Sequence, residues 1–261
     1  MITDPRTTSY LTAAVRNNAQ WCDAVCHAHH VAGAVGEGAS QHVAGAVEEG
    51  VWASPRRTPP LYPDAVTLFP DVAPKDVVAR IDVASPGASV KDSFATLDLS
   101  GDGFEVLFEA QWIHRAAGEQ DAPGPRWEPL VGAAELPAWE AAWAGDTEGG
   151  EGGEGGEGGE RIFLPRLLDD GAVFLARTEA GRITAGAVAY PAADVIGISN
   201  LFAADDDLDT AWRSCLAAAA RLWPDVALVG YEHGDDLAAA LRQGFAPVGP
   251  LRVWLRTDGN G

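Results

Sequence analysis

Val195-Ile-Gly-Ile-Ser-Asn-Leu-Phe202 leads into a run from Leu208 to Trp223 and then into Val226-Ala-Leu-Val-Gly-Tyr-Glu-His233. The chain goes on through Leu237 to Leu241, Gly244-Phe245 and Val248-Gly-Pro-Leu-Arg-Val-Trp254. Short runs of branched and aromatic residues between turn formers read as strands. Leu208, Trp212, Cys215, Leu216, Ala219 and Trp223 recur at helical spacing on one face. The stretch therefore predicts strand, helix, strand, helix, strand.

Outward from it, Trp127-Glu-Pro-Leu130 predicts a first strand, Ala134 to Trp143 a helix, and Phe163 to Leu168 a shorter one. Val173-Phe-Leu-Ala-Arg177 and Ile183 to Tyr190 flank Glu179-Ala-Gly-Arg182 as a hairpin. The order over residues 126–256 is β-α-α-β-β-β-α-β-α-β, and it ends with Gly-Phe before the last strand. That order resembles the GNAT superfamily of acyl-CoA-dependent N-acetyltransferases. The resemblance implies an α/β fold with a mixed, mostly antiparallel sheet flanked by helices. It also implies acyl transfer to an amine of a small polar metabolite, with acyl-CoA as donor. Backbone N–H groups at Ser199 and Asn200 would hold the acyl carbonyl, and the donor would lie against the strand end at Phe202 and Ala203.

The sequence departs from the family pattern twice. The pyrophosphate loop, Gln/Arg-x-x-Gly-x-Gly/Ala in the family, reads Ala203-Ala-Asp-Asp-Asp-Leu-Asp209 here. The tyrosine of Asn-x-x-Ala-x-x-x-Tyr-x-x-x-Gly-Phe falls on Ala240. Two further readings stay open for that reason. One is an enzyme on the same scaffold without coenzyme A, working by proton transfer, decarboxylation or a carrier-delivered acyl group. The other is a non-catalytic metabolite-binding module.

Asp205, Asp206, Asp207 and Asp209 suit the N-cap and first turn of the helix beginning at Leu208, where carboxylates satisfy free N–H groups and the helix dipole. A helix N-terminus also attracts phosphate, and here the chain supplies its own anions. A phosphate about 6 Å from one such carboxylate meets repulsion of roughly 3 kcal/mol at an effective dielectric near 20. Gly230-Tyr-Glu-His-Gly234 supplies Tyr231, Glu232 and His233 as acid–base candidates at the end of a strand. Strand alternation sends Tyr231 and His233 to one side and Glu232 to the other. The plainer reading is a solvated strand end running into a helix cap.

The N-terminal half, residues 1–120, is expected to be a partial α/β layer packed beside residues 126–256, in the manner of a truncated second copy. Thr7 or Thr8 caps a predicted helix with Leu11, Ala14, Val15, Trp21, Cys22 and Val25 as its apolar stripe. Ala65 to Phe69 predicts a strand, and Pro74 to Ile81 a helix with proline in its first turn. Phe94 to Leu99 and Phe104 to Phe108 flank Ser100-Gly-Asp-Gly103 as a predicted hairpin, continuing to His114. Trp112 and His114 suit a substrate wall or an exposed strand end. Lys91, in Ser89-Val-Lys-Asp-Ser93, suits a surface turn or a carboxylate pocket. Arg56, with Arg57, lies in a proline-rich loop and offers the same chemistry or plain solvation.

Composition sets the outer limits. The 261 residues are 47% hydrophobic with a net charge of −20, and Lys75 and Lys91 are the two lysines. Nucleic acid is not an expected partner, because phosphate binding depends on Lys and Arg. No run reaches the ~18 apolar residues of a membrane span. Met1-Ile-Thr-Asp-Pro-Arg lacks a charged and apolar leader, which gives a cytoplasmic expectation. A small molecule is the expected partner, and no oligomeric state is implied. Cys22, Cys26, His29 and His30 sit at metal-like spacing, but one helix cannot converge four ligands tetrahedrally, so no metal is expected. His30-Val-Ala-Gly-Ala-Val35 repeats as His42 to Val47, and a Gly-Gly-Glu tract fills the insertion at 146–160. Both read as flexible insertions (the first over 30–50), which chains tolerate at roughly 0.6 kcal/mol per doubling of loop length.

Overall fold

The computed structural model describes residues 5–29, 50–54, 56–84, 86–118, 124–147, 161–205 and 207–257. The duplicated segment, the Gly-Gly-Glu repeats and Asp206 lie outside these residues. In chain order the elements are α1 (Pro5–Ala28), β1 (Val51–Ala53), β2 (Ala65–Thr67), α2 (Pro74–Val78), β3 (Ser89–Asp92) and β4 (Phe104–Arg115). There follow β5 (Glu128–Pro129), α3 (Leu136–Thr147), α4 (Arg166–Asp169), β6 (Val173–Glu179), β7 (Arg182–Ala192) and β8 (Val195–Ala203). The chain closes with α5 (Leu208–Leu222), β9 (Leu228–Glu232), α6 (Gly234–Arg242) and β10 (Ala246–Arg256). Two compact units result, Met1–Trp112 with Val248–Gly261, and Ile113–Pro247.

In the first unit the strands run β1-β2-β3-β10-β4. β2 and β3 are parallel, whereas β1/β2 and β3/β10 are antiparallel. Val51, Ala53 and Val90 enter a core with Val77 of α2 and Trp254. Strand alternation turns the neighbours Trp52 and Lys91 to the other face, where α1 receives them. Trp52 Nε1 donates to Asp23 Oδ1 at 2.9 Å, and Lys91 Nζ to Asn18 Oδ1 at 2.9 Å. The apolar stripe of α1 is buried at Val15, Trp21, Cys22 and Val25. Thr7 and Thr8 are not its cap. They lie inside the helix, which begins at Pro5.

Two sequence expectations fail here. Ser89–Asp92 is a covered strand rather than a surface turn, and Phe94 to Leu99 is not a strand at all. Asp92 is fully buried, and its carboxylate accepts from the N–H groups of Phe94 (3.3 Å) and Leu97 (2.8 Å). Ala95 is forced to a φ of 52° in the same turn. Side-chain oxygens of this kind compete with ladder pairing for backbone donors. β4 pairs instead with β10.

In the second unit the order is β9-β8-β7-β6-β5, antiparallel from β5 to β8 with β8/β9 parallel. This is the mixed, mostly antiparallel sheet expected from the sequence. Ala185, Ala187, Ala189, Ile196 and Ile198 point to α5 and α6, where they meet Trp212, Cys215 and Ala239. The intervening positions face α3 and α4. Trp139 stands there edge-on to Phe163, Phe174 and Phe202, with ring centroids 5.3, 5.0 and 5.3 Å away.

Trp139 also donates its Nε1 hydrogen to the Leu175 carbonyl at 2.8 Å. It reaches the backbone because Gly186 has no side chain. A β-carbon there would lie 2.7 Å from both the Leu175 oxygen and Trp139 Nε1, and 2.8 Å from Phe202. Gly186→Ala is expected to lower stability by about 1–3 kcal/mol, the usual cost of overpacking a filled core. Urea unfolding measures this, and an unchanged midpoint would show that the indole is not needed where it stands.

Candidate active site

The candidate site is the end of the second unit's sheet where β8 leaves β9. The two strands pair only through Ile196↔Leu228 and Gly197↔Val229. Gly230 marks the last close approach, since a β-carbon there would lie 2.9 Å from the Ile198 carbonyl oxygen. Beyond it Ser199, Asn200 and Leu201 on one strand, and Tyr231 and Glu232 on the other, are all partly exposed.

β8 also changes register against β7 at this point. Val188 faces Ser199 but Gly186 faces Phe202, so Asn200 and Leu201 together oppose Ala187. Asn200 takes a φ of 52°, in the left-handed region that Asn tolerates better than most residues. This is a β-bulge, which removes backbone groups from the ladder and re-aims the strand. Sequence pattern gave no sign of it beyond the Asn itself.

Glu232 is partly covered, and among the described residues neither a hydrogen bond nor an ion pair satisfies its carboxyl. Burial, with repulsion from Asp236 one turn into α6, pushes it up to about 8 from its ordinary 4.5. Asp236 is itself raised, first by burial, against the pull of His233. Leu228 packs with α5 and α6, so alternation carries Glu232 to that same face and Tyr231 to the other. His233 is exposed at the N-cap of α6, without a side-chain capping bond. Asp236 was not singled out in the sequence, although it follows Glu232 by one strand-to-helix step.

The aspartates before α5 are less negative in effect than the sequence implies. Asp207 is the N-cap, accepting from the Thr210 N–H at 2.9 Å, and the Thr210 hydroxyl first and this N–H second hold its pKa down. Asp205 binds Arg177 at 3.0 Å, and Asp209 takes a fork from Arg242 at 2.9–3.2 Å with Gln243 alongside at 3.0 Å. These partners lower both carboxyls. The capping expectation holds. The expectation of unbalanced negative charge does not, because Arg177 comes from β6 and Arg242 from the end of α6, both remote in sequence.

Other predicted site residues have structural partners. Phe202 and Ala203 are buried, paired with Gly186 and Ala185, so their side chains are core. Trp112 is 1% exposed and donates to the Ser93 carbonyl at 2.8 Å, which excludes it as a substrate wall. His114 is buried in the second unit, as are its neighbours Ile113 and Arg115, so an exposed strand end is excluded too. Lys91 is a covered residue of β3 bonded to Asn18 rather than a turn residue open to ligand. Arg56 is exposed, while Arg57 is the fixed arginine of that loop, paired to Asp64 at 3.0 Å. No group of three or more metal-binding side chains gathers among the described residues, and His30 lies outside them.

No family model matches the sequence, and no curated protein does. Solved structures similar to the chain include a GCN5-related N-acetyltransferase from Kribbella flavida, at 16% identity over 75% of this chain and 81% of that one, with a TM-score of 0.48. A GNAT-family protein from Novosphingobium aromaticivorans, titled a putative acetyltransferase, is similar at 12% identity, with coverage of 80% and 89% and a TM-score of 0.49. A GCN5-related N-acetyltransferase-like protein from Streptococcus suis is similar at 14% identity, with coverage of 65% and 71% and a TM-score of 0.44. No helix among the described residues is long and apolar enough to cross a membrane.

The raised carboxyl has a stability consequence. Between pH 4.5 and about 8 the folded chain keeps a proton on Glu232 that the unfolded chain releases, so this residue costs stability as pH rises through that window. Glu232→Gln should match the wild type in melting temperature near pH 4.5 and exceed it progressively toward pH 9. Equal melting curves at both ends of the range would mean that the carboxyl titrates normally.

Proposed function

We propose that the second unit is an acyltransferase, moving an activated acyl group to the amine of a small polar metabolite. The observation that carries this reading is the parting of β8 and β9 beside a bulge at Asn200. It frees backbone groups on one strand and brings a raised carboxyl to the end of the other. N–H groups released at Asn200 and Leu201 would bind the acyl oxygen as negative charge develops on it, the term that weighs most in acyl transfer. Glu232 as carboxylate would take the proton of the attacking ammonium. The amine nitrogen then forms its bond to the carbonyl carbon, and the carrier leaves with the electron pair of the broken bond. Tyr231 and His233 flank the base and are the candidates to return a proton to the leaving carrier.

The start of α5 does not fit a pyrophosphate cradle as it stands. Asp207 already occupies the first-turn amide that a phosphate would use. This favours a donor held by its acyl end, or one delivered on another carrier. Asp207→Ser keeps a cap while removing the charge. If acetyl-CoA is the donor, titration calorimetry should find weak binding to the wild type and tighter binding to D207S. Heat from neither protein removes that donor.

A base with a pKa near 8 works better as pH rises. Acyl transfer, followed as kcat/KM, should increase through about pH 8 and level off above it. Glu232→Gln is expected to lower the plateau by roughly 10²-fold or more, the usual worth of a placed base. A flat pH profile with full activity in E232Q would take the base away from this residue.

A further inference from the structure

No lysine or arginine belongs to β8, to β9 or to the first turn of α6, the three segments that form the parting of the strands. β8 has no ionisable side chain, and β9 has only Tyr231 and Glu232. His233 follows as the N-cap of α6, with Asp235 and Asp236 in its first turn. Residues 113–247 contain no lysine at all. Arginines on neighbouring elements are engaged: Arg177 with Asp205, Arg242 with Asp209, Arg213 with the Thr210 hydroxyl and Arg115 with the Gln243 carbonyl. Burial bears on both Glu232 and Asp236, and Asp236 repels Glu232 across the strand-to-helix step. A cation between the two relieves that repulsion, because an opposite charge favours the ionised carboxylate. An anion adds to it.

Resting on the acyltransferase reading, we propose that the acceptor is a diamine: an amine with a second ammonium on a short apolar chain, and with no carboxylate or phosphate. Asp236 holds the far ammonium, while Glu232 takes the proton of the nitrogen that is acylated. Asp236 is partly covered, which limits the screening of that pair by water. Amino acids are excluded, since the carboxylate beside their amine would face Asp235 and Asp236 with no arginine to answer it. A site selects in this way by repelling the wrong ligand as much as by holding the right one.

The test compares diaminobutane, butylamine and γ-aminobutyrate, which share one amine and differ at the far end, against the full-length chain. Titrated without a donor, diaminobutane should bind about tenfold or more tightly than butylamine, the worth of one hydrogen bond to a charged group. The amino acid should bind more weakly than either. Asp236→Asn should bring the ratio of the two amines toward one, and Asp236→Glu, which keeps the charge, should restore it. Melting temperature checks that both variants fold. Calorimetry in two buffers of different ionisation heat should also find protons released near pH 7, where Glu232, pushed up to about 8, still holds one. Near pH 9 the release should vanish. Equal binding of the three ligands, or an unchanged ratio in D236N, overturns the proposal. The two readings fail separately. Selective binding of diaminobutane, with no acyl product above the uncatalysed rate from acetyl-CoA, acetyl phosphate or an aryl acetate, removes the acyltransferase and keeps the charge selectivity. Acyl transfer to butylamine as fast as to diaminobutane removes the diamine alone.

Discussion

The indole of Trp139 rests on the backbone of the second unit's sheet at Gly186, and the geometry of the site depends on that contact. Its hydrogen bond to the Leu175 carbonyl ties α3 to the centre of the sheet. Its edge-on contact with Phe202 fixes the end of β8. The bulge at Asn200 and Leu201 lies directly between this anchored end and the regular pairing from Ser199 backward. A strand held on both sides of an extra residue must absorb it locally. It does so through the positive φ of Asn200 and by turning away from β9. The parting is therefore built from packing on one face of the sheet, while the candidate site residues lie along its edge.

Electrostatics near α5 follow the same division between structure and chemistry. Three of the aspartates around the start of the helix are engaged, one as cap and two by arginines from β6 and α6. Exposed pairs of this kind contribute little to stability. What they do is hold α6 and β6 to the start of α5 and balance its charge. Glu232 has no such partner among the described residues. A carboxyl raised by burial and by Asp236 costs stability near neutral pH, and this is what singles it out as the candidate acid–base group.

Much of the fold was legible because periodicity reports burial. The α1 stripe, the β6–β7 hairpin, β8, α5 and β9 all appear where apolar spacing placed them. Three failures share one cause, namely that the deciding partner is remote in sequence or is backbone. Phe94 to Leu99 alternates well enough for a strand, but Asp92 captures its amides. Trp112 looks like a recognition surface until its N–H finds the Ser93 carbonyl. Lys91, one of two lysines in an acidic chain, invites a ligand, yet strand alternation turns it under α1. The candidate site was half legible. Tyr231, Glu232 and His233 stand out by type, and Ser199 with Asn200 by position. The bulge, the close approach at Gly230 and the arginine partners are properties of three-dimensional register and leave no local mark.

β9 is only five residues long, and that shortness brings the core and the candidate site close together along one strand. Its first residue, Leu228, packs with the core beneath α5 and α6, and its last, Glu232, carries the raised carboxyl. Between them stands Gly230, which touches the Ile198 carbonyl too closely to accept a side chain. A strand pinned at its middle by backbone contact has little freedom to slide. The same contact also sets how far β8 and β9 separate. Any substitution at Gly230 must push the strands apart or twist them, moving Glu232 relative to the bulge at Asn200. One glycine thus fixes the width of the opening and the aim of the carboxyl within it.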